Sequence, residues 1–113
     1  MNELIQELQN KTKQLEKSLR LLRKNGADYA AAERDYKVLL RTECLKLRDE
    51  GMAVGMIDKV CYGIPSVAEA RFKRDCAEAV YRANQEAIMS YKLQMRLIEA
   101  QINREWGNAD VAI

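Results

Sequence analysis

Met1, Ile5, Leu8, Thr12, Leu15, Leu19 and Leu22 recur in alternating steps of four and three. This is one face of an α-helix in heptad register, with Thr12 as its single polar member. The dipeptide Asn25-Gly26 predicts that the helix stops near Lys24, because both residues adopt the left-handed cap with little strain. Asp28 then has the side chain to cap a second helix. Its apolar stripe runs through Tyr29, Ala32, Tyr36, Leu39 or Leu40, Cys44 and Leu47, and Gly51 ends it. Joined by so short a link, the two helices are expected to form an antiparallel hairpin.

Between Met52 and Ile64 the pattern is irregular, and Val54, Met56, Ile57, Val60 and Cys61 allow a short helix. Ser66-Val67-Ala68-Glu69 has the form of a capping box, and no Gly or Pro follows until Gly107. The expected helices are therefore 2–24, 28–50, a short 53–62, and 66–106, all in one domain, 1–113. The last would extend about 60 Å, against about 33 Å for each of the first two. Its second half is apolar on two faces. Ile88, Tyr91, Met95, Ile98, Ile102 and Trp106 share one, while Met89, Leu93, Leu97 and Ala100 lie nearly opposite. A helix apolar on both sides is expected to be covered on both. The fold class is thus all-α: an antiparallel helical hairpin packed on one long C-terminal helix, a coiled-coil-like bundle completed by oligomerisation. Met89, Leu93, Leu97 and Ala100 are the expected oligomer interface.

Composition agrees with the helical reading. The chain has 113 residues, 48% hydrophobic and 32% charged, with one Pro, which excludes both disorder and a membrane-embedded class. No apolar run reaches the roughly 18 residues of a membrane span. The N-terminus reads as an amphipathic helix rather than a signal peptide. Three cysteines, an odd count, do not make a disulfide framework. A cytoplasmic protein with reduced thiols is expected.

Candidate chemistry is sparse. Without histidine the chain lacks the usual general base and the commonest metal ligand. The cysteines have no C-x-x-C spacing, and no phosphate-binding glycine loop is present. The expectation is a non-enzyme with no catalytic residues, no metal and no cofactor.

Net charge is +2 and the isoelectric point about 8.4, too mild to demand a nucleic acid. Two clusters are nevertheless candidate phosphate contacts. Lys11, Lys13, Lys17, Arg20, Arg23 and Lys24 are interrupted by a single acid, Glu16. Arg71, Lys73 and Arg74 would lie on a recognition helix if Val54 to Tyr62 were the first helix, Gly63 the turn, and Pro65 or Ser66 onward the second helix of a helix-turn-helix. Against that motif stand Asp58 after Ile57, the weakening Gly55, and a second helix that continues for ten turns. The preferred reading of Gly51 to Ile64 is a connector that reverses the chain.

The pattern from LRDEG through AEARFKRDCAEAVYRANQEAI to RLIEAQINREW resembles a group of short helical proteins encoded by tailed phages and prophages of bacteria. The resemblance covers about Ala32 to Trp106, and Gly55 and Met56 depart from it. Members have no established activity, so it transfers no site residues. Their place among early genes implies an accessory role in phage DNA replication or recombination, through protein contacts and weak single-stranded DNA contacts. Inhibition of a bacterial host defence system is one alternative, and a helix-turn-helix regulator is another. The implied partners are further copies of the chain and a phage or host protein in the host cytoplasm.

Overall fold

The structure is a computed structural model; it describes residues 2–112, with side chains described from 2 to 107. Its elements are α1 (Asn2–Asp49), α2 (Val54–Val60), a 3₁₀ turn (Cys61–Gly63) and α3 (Pro65–Ala112). The described residues are all-helical, without strands.

The expected break at Asn25-Gly26 is absent. Residues 2–24 and 28–49 belong to one helix, α1, so the hairpin between them does not exist; the long pair is α1 and α3. A mid-helix Gly costs only about 1 kcal/mol and Asn less, and packing exceeds that here. Gly26 faces Tyr81 of α3 so closely that a Cβ would lie 3.1 Å from the ring's Cε1. The glycine permits a close approach instead of a cap. Asp28, read as an N-cap, is an interior residue whose carboxylate pairs with Lys24 Nζ at 2.7 Å. An unbroken α1 has the same 48 residues as α3, so the expected difference in helix length disappears.

The chain forms two compact units, residues 24–81 and residues 1–23 with 82–113. In the first, α1 and α3 run antiparallel. Gly26 and Tyr29 meet Tyr81, with the two tyrosine rings 6.0 Å apart, and further along α1 Glu33 and Tyr36 meet Arg74. Val67, Ala70, Arg74, Ala77 and Tyr81 of α3 are covered, with Glu78 beside Ala77, and their spacing of three and four keeps one stripe of a helix against its neighbour. Tyr36, Ile57, Cys61 and Val67 are its buried apolar residues.

The connector caps α1 as Gly51 predicts. Gly51 has φ 90°, its N–H donates to the Arg48 carbonyl, and the Met52 N–H reaches back to Leu47. This is a Schellman motif, which satisfies carbonyls that a helix end leaves orphaned. The capping box at Ser66 is not the start of α3. Pro65 holds the first helical position, where its missing N–H costs nothing, and the first helical bond runs from the Ala68 N–H to the Ile64 carbonyl. At the other end α3 continues past Trp106 to Ala112.

In the second unit the covered positions are Leu4, Leu8, Lys11, Thr12, Leu15, Ser18 and Leu22 of α1 and Asn84, Ala87, Ile88, Tyr91, Gln94, Met95, Ile98, Ile102 and Glu105 of α3. The heptad expected from Ile5 and Leu19 is displaced by one residue at each: both are exposed, and Leu4 and Ser18 take the inner places. The unbroken helix explains the shift. The stripe that includes Leu22, Asn25, Tyr29 and Tyr36 extends backwards in steps of three and four to Ser18. Met1, the first member of the expected seam, lies outside the described residues. Asn84 is the buried polar residue of this unit, and its Nδ2 donates to the Ser18 carbonyl at 2.9 Å.

Candidate functional site

The two expected faces of α3 differ as the pattern requires. Ile88 and Ile98 are buried, and Tyr91, Met95 and Ile102 half-buried. Trp106, assigned to the same face, is instead exposed. On the opposite face Met89, Leu93 and Leu97 are 65%, 55% and 62% exposed, and Ala100 is also exposed. Glu86, Ser90, Lys92 and Arg96 border a shallow hollow with Met89 and Leu93. Ile88 and Ile98 are the only buried apolar residues among the described part of this unit, whereas Ile5, Leu19, Leu21 and Trp106 are exposed besides the three on α3.

Five of the six cations from Lys11 to Lys24 are exposed, and Lys11 is half-buried in the seam. Lys24 is held by Asp28. The row is a largely exposed strip on α1, and Lys13 borders a hollow with Leu8, Gln9, Thr12 and Glu16.

Arg71, Lys73 and Arg74 do not present a common reading face. Arg71 lies over the ring of Tyr62, 5.8 Å from its centroid. Lys73 borders a groove with Asp28, Asp35 and Glu69. Arg74 points towards α1, where its guanidinium stacks 4.7 Å from the Tyr36 centroid and bonds Glu33 at 3.3 Å, while its Nε bonds Asp75 at 2.7 Å. The hydrogen bond to Asp75, with the nearby charges of Asp75 and Glu33, pushes the Arg74 pKa up against the cost of its burial. Arg74 is a structural cation. The signal was present in the sequence, since Glu33 and Tyr36 share a helix face, but which residue of α3 faces them depends on the register set by the connector.

One surface escaped the sequence reading. The flank of α1 and the connector enclose a groove of about 480 Å³, with Leu40, Cys44, Leu45, Val54, Ile57, Cys61 and Tyr62 as its apolar walls. Lys37, Arg41 and Arg48 rim it, with Asp58 opposite. The Cys44 thiol is pushed up from its ordinary pKa, first by burial, then by its hydrogen bond to Cys61 and the nearby Asp58 carboxylate, with Arg41 opposing. A neutral thiol at ordinary pH follows. The lack of C-x-x-C spacing concealed that Cys44 and Cys61 stand on either side of the Gly51 reversal, which brings both to one groove.

Among the described residues no cluster of three or more His, Cys, Asp or Glu side chains is placed to hold a metal ion. No helix among them is long and apolar enough to cross a membrane. No family model matches the chain, and neither a curated protein nor a solved structure matches it.

Proposed function

We propose that the chain is a non-enzymatic interaction protein that acts by docking, and that its first partner is a second copy of itself, bound through Met89, Leu93, Leu97 and Ala100. The observation that carries this reading is the exposure of Met89, Leu93 and Leu97 on the side of α3 turned away from the covered seam. These side chains lie within about three turns of one helix, and fully burying such residues is worth about 1.5–3 kcal/mol each. Their unit has little buried apolar material of its own. A second copy supplies the same uncovered surface, so one isologous contact covers both.

Light scattering at micromolar concentration tests the reading. At least twice the 13.0 kDa chain mass is expected, and Leu93→Lys with Leu97→Lys should return the protein to one chain without loss of helicity. A mass of 13.0 kDa for the unaltered protein overturns it. The exposed cations of α1 support a second, weaker contact with phosphate backbones. A role beside phage DNA replication or recombination, or against a host defence system, is carried by the sequence resemblance alone.

A further inference from the structure

Two of the three cysteines share the groove between α1 and the connector. Cys61 is 2% exposed, and its thiol donates weakly to the Asp58 carbonyl at 3.9 Å. Cys44 is half-buried and lines the same groove as Cys61, near enough for the Cys61 thiol to help push its pKa up. Cys76 is exposed and borders a different hollow, with Asn25, Asp28, Ala77 and Val80.

We propose that Cys44 and Cys61 are a dithiol pair that a low-molecular-weight disulfide, such as glutathione disulfide, converts to an intrachain disulfide joining α1 to the 3₁₀ turn, with Cys76 taking no part. The more accessible Cys44 reacts first. Its thiolate attacks one sulfur of glutathione disulfide, the S–S bond of the reagent breaks, and one glutathione thiolate leaves. The Cys61 thiolate then attacks Cys44 Sγ in the mixed disulfide and expels the second glutathione. The two protein thiols lose two protons and two electrons, and one glutathione disulfide becomes two glutathiones. Closing the bond pins the connector to the flank of α1. Because both steps need a thiolate and Cys44 is held neutral, the rate should continue to rise with pH above the ordinary thiol range.

The test is incubation of the folded protein with excess glutathione disulfide at neutral and alkaline pH, followed by acid quench, intact mass and tryptic mapping. Trypsin places Cys44 in 42–46, Cys61 in 60–71 and Cys76 in 75–82, so every pairing gives a distinct product. The expected result is a cross-linked 42–46/60–71 peptide, in the unaltered protein and in Cys76→Ser alike. The bond itself removes about 2 Da, and Cys61→Ser should leave glutathione on Cys44. The proposal is overturned by a stable glutathione adduct on Cys44 in the unaltered protein, by a link involving Cys76 in place of the pair, or by thiols that stay unreacted at alkaline pH.

Discussion

The ring of Tyr81 rests against the backbone of Gly26, leaving room for a hydrogen at that Cα and little more. Replacing Gly by Ala inside a helix gains about 1 kcal/mol. Here the new methyl must push the ring of Tyr81, which also packs on Tyr29. Gly26→Ala is therefore expected to change stability by less than about 0.5 kcal/mol, the two effects offsetting each other. In a Tyr81→Ala background the same change should stabilise by about 1 kcal/mol. Urea unfolding of the four proteins measures the difference. An equal gain in both backgrounds would mean that Tyr81 does not set the need for glycine.

That pair also marks where the sequence ceased to be legible. Helical class, the Gly51 stop, the irregular connector and the two apolar faces of α3 all follow from local pattern. The continuity of α1 does not. Asn25-Gly26 has the local chemistry of a stop, and what overrides it is a ring more than fifty residues further along the chain. Once α1 is continuous, the inner stripe moves from Leu19 to Ser18. The outward face Met89, Leu93 and Leu97 was legible because it depends on the period of one helix alone. The sharing of one groove by Cys44 and Cys61 was not, because it depends on where the chain goes after Gly51.

Gly51 needs its glycine for a different reason. A Cβ there would meet nothing within 4 Å, but φ is positive. Gly51→Ala should cost about 1–2 kcal/mol, the left-handed penalty of an L-residue, and Gly51→Asn should cost less. Gly55 sits inside α2 in equally open space without positive φ, so Gly55→Ala should stabilise by up to about 1 kcal/mol. Thermal melts of the three variants distinguish conformation from crowding: a loss at both glycines would contradict the assignment.

Arg74 gives a graded series. Arg74→Ala removes a stacked guanidinium and its bonds to Glu33 and Asp75, and a loss of about 1–2 kcal/mol is expected. Arg74→Lys keeps the charge but not the planar fork that stacks and bonds at once, so it should recover only part of the loss. Glu33→Gln leaves the stack on Tyr36 in place and should cost less than Arg74→Ala. If Arg74→Lys proves as stable as the unaltered protein, charge alone matters and the stack contributes nothing.

The last prediction concerns nucleic acid. With Arg71 on Tyr62, Lys73 beside three carboxylates and Arg74 turned towards α1, the three cations of the supposed recognition helix have no common face to offer a base edge. Changing all three to Ala should lower stability and leave any DNA affinity unaltered. The exposed cations from Lys13 to Lys24 are the remaining source of attraction. If they neutralise about five phosphates, affinity for duplex DNA should fall with a log–log salt slope near −4.5 and show no base preference. At physiological salt so few unassisted contacts leave little binding. Titration of labelled single- and double-stranded DNA at two salt concentrations checks this, with Lys17→Gln, Arg20→Gln and Lys24→Gln combined as the second variant. That variant should abolish whatever low-salt binding exists. Sequence-selective binding lost on changing Arg71, Lys73 and Arg74, in protein shown still to be helical, would restore the helix-turn-helix reading and displace protein docking as the main activity.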